Sequence, residues 1–169
     1  IDWTRQKMGM AEGASGALVT GTSQATVIAF QAARVKVLDG VRHKGQGATR
    51  LVAYAGAGVH NATRKAVELL GIGGDNLRMV PLKDGCMDVD ALRTMVAEDK
   101  AAGALPFLVV GTAGSVDLGL FDDLNALADA AADEGLWLHV DGAFGAWTRI
   151  AEAPYRSLSD GIGRAHSIA

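Results

Sequence analysis

Short apolar runs recurring between helix-like stretches constrain this chain more than any other feature. Residues 50–55, 77–80 and 107–110, and the run Leu136-Trp137-Leu138-His139-Val140, are too short for buried helices and too continuously apolar for half-exposed strands. Helical patterns of about 11 to 16 residues separate them, with Val27, Phe30, Ala33 and Val37 on one face of the first and Val89, Leu92, Met95 and Val96 on a later one. Strands alternating with helices read as βαβ units, so the expected fold class is α/β: a mostly parallel central sheet with helices on both faces, a three-layer sandwich. Punctuation fills in the rest. Gly9 stops an opening helix, a short strand is expected over 16–20, and Ser23 caps a helix running to about Asp39. Gly71 closes a helix over 60–70, Pro81 halts the strand at 77–80, and Asp88 caps the next helix. A loop holds Gly111, Gly114 and Gly119, and Asp122 and Asp123 open an Ala-rich helix ending at Glu134.

Bulk properties narrow the function classes. A chain of 169 residues with net charge −3, 21% charged and 49% hydrophobic, reads as one soluble globular domain, 1–169, with room for a sizeable core. The basic run Arg42-His43-Lys44 between Gly40 and Gly45 is too short for a nucleic-acid face and reads as a solvated loop. Cys86, the single cysteine, forms no internal disulfide and has no metal-ligand spacing around it, so no metal site is expected and a reducing, cytoplasmic setting is the default. No apolar stretch approaches the ~20 residues needed to cross a bilayer, and no secretory pattern is present. The chain opens at Ile1 inside helical sequence, which reads as a piece of something longer.

Four strand exits carry the chemistry. Asp141 ends the apolar run at 136–140 and is followed by Gly142-Ala143-Phe144-Gly145, which delivers a carboxylate to the rim where open α/β sheets bind ligands. Such an acid needs a cationic partner or it neutralises, and no Lys or Arg follows until Arg149, so a ligand could supply the cation; a plain Asp-Gly turn is the bland alternative. Thr20-Gly21-Thr22-Ser23-Gln24 combines a helix start with hydroxyls, a setting suited to a phosphate dianion, while Ser23 as a simple helix cap explains the same residues. Gly56-Ala57-Gly58-Val59-His60-Asn61 approximates the dinucleotide fingerprint, with Asn61 in place of the third glycine and no acid closing the following strand, which ends at Val80-Pro81. His60 there stacks on a flat ligand, titrates near neutrality, or is an exposed first-turn histidine. Gly111-Thr112-Ala113-Gly114-Ser115-Val116 adds small and hydroxyl side chains at a further exit, or is a plain loop.

Taken in order and spacing, the segments GALVTGTSQATVIAFQAAR, VHNATRKAVELLGIG and VVGTAGSVDLGLFDDLNALADAAADEGLWLHVDGAFG resemble the group II pyridoxal-5′-phosphate-dependent amino acid decarboxylases over essentially the whole chain. That resemblance implies the large domain of the aspartate-aminotransferase-like fold (fold type I), cut at both ends. It implies pyridoxal 5′-phosphate as cofactor, an amino acid as substrate, an amine and carbon dioxide as products, and a homodimeric full-length protein; the charge and apolar patterns above lead to no expected nucleic-acid or membrane partner. By position it implies that Asp141 pairs with the ring nitrogen, His60 stacks on one ring face, Ala143 lies against the other, Thr22 and Ser23 hold the phosphate, and Thr112 and Ser115 approach the cofactor. Asp141 and His60 are thereby the expected catalytic residues. Three departures stand out. Val116 replaces a common Thr, Gln24 replaces a common Glu, and the family's Schiff-base lysine, in a His-Lys pair downstream of the aspartate, is not matched by Lys7, Lys36, Lys44, Lys65, Lys83 or Lys100. Residues 1–169 alone are therefore expected to be inactive. The alternatives are a related pyridoxal-phosphate lyase or aldehyde synthase, a nicotinamide-dependent oxidoreductase using the Gly56–Gly58 turn, and a non-catalytic binding module.

Overall fold

The computed structural model describes residues 1–169. In chain order its elements are α1 (Asp2–Met8), α2 (Thr22–Val37), the short α3 (Val41–Lys44), β1 (Leu51–Gly56), α4 (Ala62–Leu69), β2 (Leu77–Val80), β3 (Leu82–Lys83), β4 (Cys86–Met87), α5 (Val89–Ala101), β5 (Leu105–Thr112), α6 (Leu124–Glu134), β6 (Trp137–Asp141) and β7 (Ser167–Ile168). Short 3-10 turns fill 146–164. Five strands form one sheet in the order β2-β1-β5-β6-β7, every neighbouring pair parallel. The expected α/β sandwich is what the chain adopts.

Strand periodicity divides the core in two. Val52 and Tyr54 of β1, Val109 of β5 and Leu138 and Val140 of β6 pack with Leu92 and Val96 of α5 and Leu124 and Leu127 of α6. Leu51, Ala53 and Ala55, with Leu108 and Val110, face Phe30 and Ala33 of α2 and Ala66 and Val67 of α4. All these strand residues are fully buried, which explains the uninterrupted apolar runs of a sheet covered on both faces. Asp88 and Asp123 cap α5 and α6, each carboxylate accepting two backbone N–H groups of its first turn. No helix is long and apolar enough to cross a membrane.

Three local expectations need correction, and one hairpin was not anticipated. Residues 16–20 form no strand: none of them makes a backbone–backbone hydrogen bond, and Leu18 is 93% exposed. Gly21, not Ser23, is the N-cap of α2, so the Ser23 hydroxyl is not spent on capping. Gly111 lies inside β5, where a Cβ would meet Leu127 at 3.0 Å and Leu124 at 3.1 Å, so small size for packing accounts for it. The Asp84-Gly85 turn makes a small hairpin of β3 and β4 that periodicity did not reveal.

On β6, Trp137, His139 and Asp141 point to the α2 face. His139 is wholly buried edge-on to Phe30, ring centroids 5.5 Å apart, and its Nδ1 lies 2.8 Å from the Ser167 Oγ, which also accepts the Trp137 indole N–H at 2.8 Å. Burial pushes the His139 pKa down to about 4. The folded protein thus keeps this ring neutral where an unfolded chain protonates it. The stability this contributes is complete above the unfolded value of about 6.5 and is lost as pH falls towards 4, about 3 kcal/mol in all. Urea unfolding at successive pH values should show that decline. In His139→Phe it should shrink without vanishing, because His166 is shifted the same way by burial and by Lys36. An unchanged slope in the variant would remove His139 as its source.

Candidate active site

Parallel pairing of β5 with β6 puts Thr112 in register with Asp141 at the carboxyl edge of the sheet. The N-termini of α2 and α4 open beside that edge on the same face. The result is one cleft of about 390 Å³ whose wall contains all seven residues singled out above: Thr22, Ser23, His60, Thr112, Ser115, Asp141 and Ala143. Thr20, Gly21, Gln24, Gly114, Val116 and Phe144 complete it.

Asp141 is 9% exposed. Its carboxylate accepts one hydrogen bond, from the Ala143 N–H at 3.3 Å, and no Lys, Arg or His forms an ion pair with it. A carboxylate withdrawn this far from water with one weak donor leaves room for a cationic partner. Across the cleft, the Gly21 carbonyl is taken by the Gln24 and Ala25 N–H groups at 3.1 and 3.2 Å. The Thr22 and Ser23 N–H groups have no acceptor within the helix, and neither hydroxyl caps it. These donors sit at the positive end of a helix of 16 residues, which favours an anion. His60 precedes α4; its Nδ1 accepts the Ala62 N–H at 3.2 Å, so Nε2 is the nitrogen with no protein partner.

Loop 113–121 forms the remaining wall. Ser115 is its pin: the Ser115 N–H donates to the Leu120 carbonyl at 2.8 Å and its hydroxyl oxygen accepts the Leu120 N–H at 3.1 Å, which leaves the hydroxyl proton uncommitted. The loop interlocks with the turn after Asp141. Gly145 donates its N–H to the Ala113 carbonyl at 2.9 Å, and a Cβ on Gly145 would sit 2.5 Å from that oxygen and from the Phe121 ring. Gly114 (φ +81°) faces the same constraint from the other side, its Cβ position lying 3.0 Å from the Gly145 backbone. Glycine spacing in this stretch therefore encodes close approach as well as turns.

Two contributors escaped sequence reasoning. Asp122, read as part of an acidic helix start, turns inward instead: its oxygens accept the Thr112 N–H at 2.8 Å and the Met87 N–H at 2.7 Å. Burial pushes its pKa up, opposed by those two donors. A pair of adjacent acids where one suffices to cap was the available signal. Gln24, named only within the phosphate-suited turn and as a departure, accepts two hydrogen bonds from Thr20 beside the cleft.

Over residues 1–169 the chain matches the model of the pyridoxal-dependent decarboxylase conserved domain. The chain belongs to that family. It is 37% identical over 164 residues to the acidic amino acid decarboxylase of Bos taurus, covering 96% of this chain and 31% of that protein. Mouse CSAD in its apo form superposes with a TM-score of 0.94 at 31% identity, covering 99% of this chain and 35% of that one. The 4-hydroxyphenylacetaldehyde synthase of Rhodiola rosea superposes at 0.88 with 30% identity, over 99% of this chain and 37% of that one. The chain thus spans about a third of the length of the relatives it matches. Pyridoxal 5′-phosphate, the group the family is named for, fits the cleft on its chemistry: a ring that can carry a proton for the buried Asp141, and a phosphate for the open α2 terminus. A dinucleotide fits less well, since Asn61 stands where a glycine is needed and β2 closes on Val80-Pro81 rather than on an acid.

Proposed function

We propose that the full-length protein is a pyridoxal-phosphate-dependent amino acid decarboxylase, releasing carbon dioxide and an amine, and that residues 1–169 are part of its larger cofactor-binding domain. The observation that carries this reading is the buried, cation-free Asp141 facing an open helix N-terminus across one cleft. When bound, pyridoxal phosphate supplies an electron sink for the pair released as the carboxylate departs. Asp141 would hold a proton on the ring nitrogen, a preorganised charge at a site shielded from water. Thr22 and Ser23 would take the phosphate with their N–H and hydroxyl groups. His60 would cover one ring face, and Ala143 is small enough to admit the ring on the other. Thr112 and Ser115 would close the wall. No lysine of this chain lines the cleft, so the nucleophilic amine this chemistry requires would come from outside these residues.

We further place the full-length protein in the cytoplasm as a homodimer. The free Cys86 supports the first, and the exposed Leu18, Phe144 and stacked Trp3–Trp147 pair, apolar surface that further protein would cover, support the second. Likeness to an aldehyde synthase favours one second reading, in which the same cleft yields an aldehyde.

Product analysis of the full-length protein with pyridoxal phosphate and a panel of L-amino acids decides between them. Amine with carbon dioxide supports the proposal; aldehyde supports the second reading; absence of cofactor binding overturns both. His60→Ala should weaken cofactor retention about 2- to 10-fold, the worth of one aromatic stacking contact, and slow turnover with it. Unchanged values would make His60 a surface residue.

A further inference from the structure

The turn into α2 contains a polar clamp that none of these roles uses. Gln24 accepts, on Oε1, the Thr20 N–H at 3.0 Å and the Thr20 hydroxyl at 2.7 Å. A backbone N–H only donates, so the amide oxygen must face Thr20 and the amide NH2 is the group left over. The clamp spans Gly21, whose φ of +132° lies where L side chains rarely go. Thr20, Gly21 and Gln24 all line the cleft beside Thr22 and Ser23. In the same cleft, the nine-tenths-buried Asp141 carboxylate without a cation is independent reason to expect a ligand here.

We propose that Gln24 positions the phosphate-binding turn and, being neutral, favours a dianion there. Resting on the pyridoxal-phosphate reading of the cleft, this assigns Gln24 two tasks. Its oxygen fixes the Thr20–Gly21 turn, so that the N–H groups of Thr22 and Ser23 stay available. Its lack of charge keeps a phosphate dianion free of a like-charged neighbour.

Electrostatics separates the two tasks. A glutamate at this position accepts the same two hydrogen bonds. It also lies in the first turn of a helix, where the dipole favours negative charge in the unliganded protein. Beside a bound dianion the same carboxylate is repulsive, and the repulsion is screened by salt. Gln24→Glu is therefore expected to stabilise the apo-protein and to weaken anion binding.

The test titrates pyridoxal 5′-phosphate into the full-length apo-protein, followed by quenching of tryptophan fluorescence, with inorganic phosphate as competitor at low and high salt. Gln24→Glu should raise the apo melting temperature by about 1–3 °C while weakening both ligands about 3- to 10-fold, a deficit that shrinks at high salt. Gln24→Ala, which lacks the acceptor, should lower melting temperature and affinity together. Wild-type affinity in Gln24→Glu overturns the proposal. So does a parallel loss of stability and affinity in Gln24→Glu, which marks a merely structural residue. If the wild-type protein binds neither ligand, the cofactor reading itself fails, a result distinct from either.

Discussion

Replacing Asp141 with alanine in the full-length protein is expected to slow carbon dioxide release about 10²- to 10³-fold, the usual consequence of removing one preorganised charge from a reaction centre. No other carboxylate lines the cleft, so no neighbour can take over. The fold should not suffer. Asp141 contributes one 3.3 Å hydrogen bond and no ion pair, and withdrawing a carboxylate from water costs more than that contact returns. Apo stability is therefore expected to hold or rise, a trade of stability for activity common at functional sites. Asp141→Asn, which keeps the shape without the charge, should lose nearly as much turnover as alanine does. Turnover and urea unfolding measured on the same samples give the answer, and near-normal rates in either variant would remove Asp141 from the chemistry.

Asp122→Ala should show the opposite balance, with a loss of about 2–4 kcal/mol in unfolding free energy, because the Thr112 and Met87 N–H groups both lose their acceptor. The penalty is partly offset, since burial already disfavours the ionised carboxyl and alanine relieves that cost. Two short bonds to backbone donors outweigh the relief. Their loss frees the β3–β4 hairpin from the end of β5, so the wall formed by Thr112 and Ser115 should loosen and cofactor affinity should fall as well. Asp122→Asn is expected to lie between, since its amide oxygen satisfies one donor while its NH2 confronts the other. Equal stability of wild type and Asp122→Ala would show that the carboxylate contributes nothing net.

Much of the sheet was legible because its strands are buried on both faces, which leaves predominantly apolar runs such as 51–55 and 136–140, the latter broken only by the buried His139. The cap at Asp88 and the acidic start of α6 were legible because a carboxylate before a helix has a local job, but which of Asp122 and Asp123 caps was not. The strand expected at 16–20 failed for the opposite reason: strand formation depends on a partner backbone that local sequence does not encode. The seven residues named through the resemblance and at expected strand exits converge on one cleft, although the segment before Thr22 is not a strand. Asp122 and Gln24 were not found, because each acts through hydrogen bonds to residues whose placement only the folded chain defines. The one local signal was the pair of adjacent acids at 122–123, and Gln24 had none.

The interlock between Gly114 and Gly145 leaves no volume for even one methyl group between the loop at 113–121 and the turn after Asp141. Mutational drift is thereby shut out of the seam that sets the acid against its wall. It remains open at the rim, where Val116 and Phe144 are 64% and 71% exposed. Directed evolution of new selectivity in this scaffold should accordingly accumulate its accepted changes at such rim positions and return almost none from the glycine seam.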